Sequence, residues 1–249
     1  MKKNNSNISI IVPLNNYNEE IEKYLKRGFD TIDKNFSVIV IGDSDTVSKA
    51  KTFITNNFKE LKVKYIKNKN TNFAEQINKA TLECDTEYFV VLEFDDMFTD
   101  IFNDIMQVEI KDDSKSIIIP FNEYVSPDEV FLSFGNEIAW DAAYSDDMLG
   151  RLSIEGLKTY KDFNVTGALI KTEDYIEVGG LKENMDIAMW YEFLLRSIHY
   201  GKNVYVTPRV CYRHTILRKE SFFEQSKKRL TSNDVVKLID KALEDYTNK

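Results

Sequence analysis

The sequence predicts an α/β protein built on a mostly parallel sheet, because short apolar runs alternate with helical patterns through its first half. The runs at 8–12, 36–41 and 63–66 are rich in β-branched residues and are predicted strands. A fourth run begins at Tyr88 and ends abruptly in three carboxylates, Glu93, Asp95 and Asp96. These runs predict a β-α-β-α-β-α-β series with helices on both faces of the sheet.

The helices of this series follow from the spacing of apolar residues. The first carries them at intervals near three and four: Ile21, Tyr24, Leu25, Phe29 and Ile32. The second is expected over 46–58, where it follows the turn and cap residues of 42–45. The third is marked by Phe73, Ile77 and Ala80 and precedes the strand expected to end at Glu93.

The second half is less regular. Strands are predicted at 117–120, 130–134, 165–170, 204–206 and 210–212, and helices at 138–149 and 187–200. An amphipathic, charge-rich helical tail runs from residue 220 to the terminus. The prediction is one domain over residues 1–219, with a C-terminal helical tail, residues 220–249, packed on it.

The amino-acid composition argues against several classes of function. Hydrophobic residues make up 43% of the chain and aromatic residues 12%, which predicts a folded core. The net charge of −8 argues against binding to nucleic acid or to anionic membranes, since both need a basic surface. No apolar run approaches the roughly 20 residues of a membrane span, and no signal-peptide pattern opens the chain. A cytoplasmic protein with a small-molecule substrate is expected.

The acidic end of the fourth strand predicts a metal site. Residues two apart on a strand point the same way, so Glu93 and Asp95 are expected to converge. Hard oxygen ligands suit Mg²⁺ or Mn²⁺, particularly an ion shared with nucleotide phosphates. The alternative is that Asp95 and Asp96 only end the strand as turn or cap residues. No glycine-rich loop follows the first strand, which argues against a dinucleotide fingerprint or a P-loop.

The order of these motifs resembles the inverting family 2 glycosyltransferases of the GT-A fold, over roughly residues 8–215. The segment 10–15 is similar to the family's opening strand and turn, and 40–45 to its second-strand acidic signature. The segment 72–80 is similar to the helix after the third strand. Leu92-Glu93-Phe94-Asp95-Asp96 falls where the family has its Asp-x-Asp metal motif.

The resemblance implies a GT-A-type, nucleotide-binding, Rossmann-like mixed sheet and a set of donor-site residues. Those expected to bind the nucleotide sugar are Pro13, Asn15, Asp43, Asp45, Gln76, Arg213 and Arg218. Glu93 and Asp95 are expected to hold Mn²⁺ or Mg²⁺, and His214 to complete the metal site. Surface exposure and ordinary surface charge are the alternatives for His214, Arg213 and Arg218.

Two departures from the family pattern matter. Glu93 replaces an aspartate, so its carboxylate reaches one methylene farther. The family's Glu-Asp pair, which carries the usual catalytic base, falls on Met189-Trp190. The nearest carboxylates are Glu192, the first choice of base, and Asp186, the second. The alternative roles are an ion pair with Arg196 for Glu192 and a helix cap for Asp186.

The predicted function is metal-dependent, inverting transfer of a sugar from a UDP-type donor to the hydroxyl of a glycan or another acceptor. A catalytically degenerate binding or structural module is the alternative, since the usual base is missing. A nucleotidyltransferase is a third reading, disfavoured by the missing glycine-rich loop. The sequence identifies neither the sugar nor the acceptor, and it leaves the oligomeric state open, a homo-oligomer included.

Overall fold

The computed structural model describes residues 7–70, 72–142, 148–218 and 221–247. Its described strands form one mixed sheet in the order β3-β2-β1-β4-β8-β6-β9-β5, with β7 paired to β6. The strands are β1 Ile8–Leu14, β2 Ser37–Gly42, β3 Lys62–Lys67, β4 Tyr88–Val91, β5 Met97–Phe98, β6 Ile117–Val125, β7 Phe131–Gly135, β8 Leu169–Lys171 and β9 Val204–Thr215.

The helices lie between these strands and after them. They are α1 Glu19–Asp30, α2 Ser44–Asn57, α3 Phe73–Thr81, α4 Phe102–Glu109, α5 Ile154–Thr159, α6 Thr172–Glu177, α7 Met189–His199, α8 Phe222–Arg229 and α9 Ser232–Thr247. Two 3₁₀ helices, Glu137–Trp140 and Glu183–Ala188, complete the described elements.

The first half folds as its sequence predicts. β1, β2, β3 and β4 are parallel, and their carboxyl ends therefore share one edge of the sheet. Side-chain caps start the helices at that edge, with Asn18 capping α1, Asp43 capping α2 and Asn72 capping α3. Ligands of open α/β sheets bind beyond the carboxyl ends of the strands, so this edge is where a site is expected.

Two apolar cores cover the two faces of the sheet. One contains Ile11, Phe89, Phe193 and Leu195, with α3 and α7 packed on it. The other contains Ile10, Phe29, Val90 and Phe102, with α1 and α4 packed on it. Alternate residues of β1 and β4 thus enter opposite cores, which explains why these strands read as continuous apolar runs.

The second half differs from its prediction in several elements. The strand expected at 165–170 is only Leu169–Lys171, because a turn occupies 166–167. The helix expected over 138–149 is the 3₁₀ helix Glu137–Trp140 within its described part, and 143–147 lie outside the described residues. The two strands expected around Pro208 are one strand, β9, whose pairing with β6 shifts register between Pro120 and Asn122.

The C-terminal segment contains two helices. α9 packs against α7, and Ala242, which is fully buried, together with Leu238, Ile239 and Leu243 contacts the first core. The first residue of the expected tail, 220, lies outside the described residues, as do the last two, 248 and 249. Within the part of the chain that the structure describes, no helix has the length and apolar character needed to cross a membrane.

Candidate functional site

Two clefts meet beyond the carboxyl ends of β1 and β4. The first, of about 500 Å³, is lined by Pro13, Asn15, Asn16, Asn70, Asn72, Phe73, Ala74, Glu93, Phe94, Glu183, Asp186, Met189, Phe222, Gln225 and Arg229. The second, of about 480 Å³, shares Phe73, Glu93, Met189 and Phe222 with the first. Its wall is rich in aromatic side chains, among them Tyr124, Tyr160, Trp190 and Tyr191. Glu93 therefore stands where the two clefts join.

The acidic motif lies in a turn and not on the strand. β4 ends at Val91, two residues earlier than expected, and the Asp96 N–H donates to the Glu93 carbonyl (3.1 Å). The turn presses against α1, where a Cβ on Gly28 would lie 2.8 Å from the Asp96 carbonyl oxygen. Strand alternation therefore stops before Glu93, and it does not fix where the carboxylates of Glu93 and Asp95 point.

Asp96, which is fully buried, anchors the turn to β9. Its carboxylate accepts hydrogen bonds from the Tyr212 hydroxyl (2.7 Å) and the Thr215 N–H (2.7 Å). It also lies 2.8 Å from His214 Nδ1. Ligand atoms of Glu93, Asp96 and His214 all lie within 4.8 Å of one another. The structure thus groups Asp96, rather than the expected Asp95, with Glu93 and His214.

Close packing holds Tyr212 in place beside this cluster. Gly167, at φ +79°, lies under the Tyr212 ring, and a Cβ there would come within 2.4 Å of it. The same ring is in edge contact with Phe98. Because Tyr212 donates to Asp96 and accepts from the Glu93 N–H (3.3 Å), its position fixes the acidic turn.

Asp95 has a different partner. Its carboxylate, 3% exposed, accepts a hydrogen bond from Arg218 Nε. The Arg218 guanidinium lies over the Phe94 ring at 4.3 Å, and Arg218 is itself 5% exposed. Asp95 lines the second cleft, whereas Arg218 lines neither. The expectation that Arg218 binds the donor stays a prediction, and its position in the structure is that of a counter-ion for Asp95.

The carboxylates of this turn repel one another. Desolvation and the Asp96 charge raise the pKa of Glu93 to about 8, and the same two causes raise that of Asp95 to about 6 despite Arg218. Burial lowers the pKa of His214, but the Asp96 carboxylate more than offsets this and raises it to about 9. Burial and the neighbouring carboxylate thus disfavour the ionised form of Glu93, and a divalent cation bound there would favour it.

The donor set fits a divalent ion. One imidazole and two carboxylates are ligands that suit Mn²⁺ well, whereas Mg²⁺ prefers oxygen ligands alone. Glu93 and His214, both half-buried, line the second cleft, and Asp96 is held in place by Tyr212 and Thr215. The cluster therefore has both fixed and accessible members, as a metal shared with a substrate requires.

Glu192 lies outside both clefts. The side chain is fully buried, and its carboxylate accepts two hydrogen bonds from Arg196 (2.9 Å each) and one from the Tyr246 hydroxyl (2.6 Å). Lys182 Nζ lies 3.0 Å away. Arg196 also donates to the carbonyls of Val178 and Gly180. The role of Glu192 as base stays a prediction, and this closed network does not favour it.

Asp186, the second choice, lines the first cleft. Its backbone is in the positive-φ region (φ 45°, ψ −126°), which is strained for a residue with a Cβ. Arg229 Nη2 lies 3.3 Å from Oδ2, while Oδ1 is buried and has no hydrogen-bond partner among the described residues. Asp186 is thus a carboxylate of the cleft wall on a strained backbone, held by one ion pair among the described residues, and a carboxylate in such a position is a candidate to accept a proton.

The expected nucleoside-binding residues divide into two groups. Pro13 and Asn15 line the first cleft. Asp43 and Asp45 line neither cleft: Asp43 caps α2 through Asp45 N–H and Thr46, and Asp45 pairs with Lys49 (2.6 Å) on the surface. The Thr46 hydrogen bonds hold the pKa of Asp43 below its usual value. Nucleoside contacts by Asp43 and Asp45 remain predictions.

Gln76 and Arg213 also lie off the cleft walls. Gln76 is fully buried under β1, where its Nε2 donates to the Leu14 carbonyl (3.4 Å) and its Oε1 has no partner in the described part of the chain. Arg213 donates through Nε to Glu123 (2.6 Å) on β6. Donor binding by either residue stays a prediction.

Sequence reasoning missed three residues of this region. Asp96 is the third carboxylate of the motif, but strand alternation favoured Asp95 as the metal ligand. Arg229 and Phe222 come from α8, more than a hundred residues after the acidic turn, and no local pattern connects them to it. Phe222 packs its ring against Phe73 at 5.3 Å, which fixes α8 over the clefts.

Comparison with solved structures identifies the fold as GT-A. TarS of S. aureus, residues 1–349 in complex with UDP-GlcNAc, superposes with a TM-score of 0.71 at 13% identity, over 96% of this chain and 67% of that one. The mannosyltransferase PcManGT of Pyrobaculum calidifontis, in complex with GDP-Man and Mn²⁺, gives a TM-score of 0.70 at 15% identity, over 96% of this chain and 64% of that one. The chain thus spans about two thirds of the length of these proteins.

The family follows from the sequence. Residues 9–236 match the family model described as glycosyltransferase like family 2, so the chain belongs to that family and is a glycosyltransferase. A comparison of the sequence with curated proteins gives no match. The expected family and fold, a single α/β domain with a mixed sheet, are therefore confirmed.

Proposed function

We propose that the protein transfers a sugar, with inversion, from a UDP-type nucleotide sugar to the hydroxyl of a glycan or another acceptor. The observation that carries this proposal is the position of Glu93, Asp96 and His214 where two clefts join, with Asp186 in the wall of the first. TarS and PcManGT, which have the same fold, were solved with nucleotide sugars, and PcManGT also with Mn²⁺.

The two clefts divide the substrates between them. The first, which contains Pro13, Asn15 and Phe94 at the ends of β1 and β4, receives the nucleotide. The second receives the acceptor, because its aromatic wall offers flat apolar surfaces to the C–H faces of a sugar ring. A donor that spans from the first cleft to Glu93 therefore presents its anomeric carbon to the second.

Glu93, Asp96 and His214 would hold Mn²⁺, which would stabilise the charge on the departing diphosphate when bound. Asp186 is the base: it lies three residues before Met189, which lines both clefts, and its carboxylate takes the proton of an acceptor hydroxyl that reaches from the second cleft to their junction, as that oxygen bonds to the anomeric carbon. The bond from this carbon to the diphosphate breaks, and the nucleoside diphosphate leaves with the bonding electrons. Attack opposite to the leaving group inverts the anomeric centre.

The proposal is tested by titrating UDP into the protein with and without Mn²⁺, followed by an assay of UDP release from UDP-sugars. Tight binding that requires Mn²⁺, and that is lost in Glu93→Gln, is expected. Glu20→Gln removes an exposed carboxylate of α1 and serves as the matched control, with wild-type binding. Absence of UDP binding in the folded protein, with and without the metal, would refute the UDP-type donor.

A degenerate binding module remains the second candidate, since Met189 and Trp190 stand where the family has its Glu-Asp pair. Both side chains line the second cleft, so no carboxylate occupies that place. The same assay separates the two functions. Metal-dependent UDP binding without release of UDP from any UDP-sugar, with or without acceptors, would favour the module.

A further inference from the structure

Helix α8 brings one cation to the first cleft. Arg229, the last residue of α8, pairs with Asp186 at 3.3 Å, and Phe222, the first residue, packs on Phe73. Among the described residues that line this cleft, Arg229 is the only one with a basic side chain, whereas Glu93, Glu183 and Asp186 are acidic. For a diphosphate bound here, Arg229 is the cationic partner that the described part of the cleft wall offers.

The Arg229 pair is much looser than the other arginine pairs of this region. The side chain of Arg229 is 60% exposed, while those of Arg218 and Arg196 are 6% exposed and closely bonded to their carboxylates. Its contact with Asp186 is longer than the 2.7–2.9 Å of strong charge-assisted hydrogen bonds. Arg229 Nη2 also donates to Ser226 Oγ (2.9 Å), so it keeps a partner on its own helix. Arg229 is therefore able to change its carboxylate partner without unfolding α8.

Asp186 depends on this single cation. Arg229 is the only described residue that forms an ion pair with Asp186, and Oδ1 has no hydrogen-bond partner within the described ranges. The Arg229 guanidinium lies against Oδ2, the one carboxylate oxygen of Asp186 that has a partner among the described residues. Arg229 therefore occupies the place at Oδ2 that an acceptor hydroxyl would have to take.

We propose that Arg229 exchanges partners during the reaction: it pairs with Asp186 in the free protein and with the donor diphosphate in the complex. This inference rests on the proposed function and adds a regulatory step to it. Donor binding draws the guanidinium away and leaves Asp186 unpaired, so the base becomes active only when the donor is in place. A phosphate offers more acceptor oxygens and more charge than Asp186, which favours the exchange.

The proposed exchange predicts that Asp186 and the diphosphate of UDP compete for Arg229. Asp186→Asn releases Arg229 from its internal partner, so UDP affinity in the presence of Mn²⁺ is expected to rise by about twofold to fivefold. Arg229→Gln is expected to weaken UDP binding by about tenfold. In the Arg229→Gln background, Asp186→Asn is expected to give no increase, because there is no arginine left to release.

Titration calorimetry of wild type, the two single variants and the double variant measures these UDP affinities. Uridine, which lacks the diphosphate, is the second probe. Uridine affinity is expected to be the same in wild type and Arg229→Gln. Lys228→Gln removes the same charge from the neighbouring exposed position of α8 and is the matched control. Arg229→Lys keeps the charge and is expected to restore much of the UDP affinity.

Three results would overturn this inference alone, and a fourth would overturn the proposed function with it. Equal tightening by Asp186→Asn in both backgrounds would indicate direct repulsion between Asp186 and the diphosphate. Equal weakening of UDP and uridine by Arg229→Gln would indicate a structural role for Arg229. UDP binding that Asp186→Asn leaves unchanged would refute the exchange while the proposed function stands, whereas no UDP binding by wild type would refute both.

Discussion

Two carboxylates six residues apart, Asp186 and Glu192, have opposite environments. Glu192 lies inside α7, fully buried, with Arg196, Tyr246 and Lys182 around its carboxylate. Asp186 lies in a strained 3₁₀ segment at the cleft, with one looser cation and one oxygen that has no hydrogen-bond partner in the part of the chain that the structure describes. The helical register that favours Glu192 in the sequence places it on the side of α7 that α9 covers.

The difference shows what burial does to a candidate base. Burial alone would raise the pKa of Glu192, but hydrogen bonds from Arg196 and Tyr246 lower it below its ordinary value. A carboxylate whose oxygens are already bonded has neither the access nor the basicity to take a substrate proton. Glu192 therefore belongs to the interface between α7 and α9, whereas Asp186 belongs to the cleft.

The largest expected effect is on catalysis. Asp186→Asn keeps the size of the side chain but removes its basicity, so kcat for transfer is expected to fall by about 10²–10⁴-fold. Steady-state kinetics with a UDP-sugar and an acceptor measure this change. Retention of wild-type kcat would show that another group accepts the proton, and it would contradict the assignment of Asp186 as the base.

The second effect is on stability. Glu192→Ala leaves the buried Arg196 guanidinium without its counter-ion, so the free energy of unfolding is expected to fall by about 3 kcal/mol. The kcat per folded molecule is expected to stay near that of wild type. Urea unfolding measures the free energy of unfolding, and an assay corrected for the amount of folded protein measures kcat. Glu244→Ala, on the exposed side of α9, is the control. A large loss of kcat without loss of stability would indicate that Glu192 acts in catalysis.

A smaller effect isolates the contact between helices. The Tyr246 hydroxyl donates to Glu192 Oε1 (2.6 Å) and accepts from Lys182 Nζ (2.8 Å). Tyr246→Phe removes both bonds and keeps the ring, at an expected cost of about 1.5 kcal/mol in the free energy of unfolding. Tyr200→Phe, at a tyrosine that is 63% exposed, is the matched control and should change little. Equal effects of the two variants would contradict the role of Tyr246.

The fold of the first half could be predicted because each element has a local signal. The apolar runs of β1 and β4 and the caps Asp43 and Asn72 are all readable within a few neighbouring residues. The second half lacks such signals, since β8 has only three residues and β9 continues through Pro208. Pairing with distant strands, which the sequence does not display, stabilises both of these elements.

The site could be predicted only in part for the same reason. The motif of residues 93–96 was recognised, but its grouping with His214 through Asp96 depends on a turn that starts two residues earlier than expected. The contact of Glu192 with Tyr246 joins residues 54 positions apart, and that of Asp186 with Arg229 joins different helices. The spacing of apolar residues indicates which face of a helix is buried, but it does not indicate which element covers that face.

The smallest expected effect is a pH dependence that only the buried carboxylate should show. Because the folded pKa of Glu192 is lowered, its contribution to stability is fully present above its unfolded pKa of about 4.3 and is lost as the pH falls through the folded pKa. The difference in the free energy of unfolding between wild type and Glu192→Gln is therefore expected to be constant above about pH 6 and to shrink below about pH 4. Urea unfolding of both proteins across this range measures it, and the other carboxylates, which the two proteins share, cancel in the difference. A difference that persists undiminished through acid pH would show that Glu192 does not act there as a charged partner of Arg196.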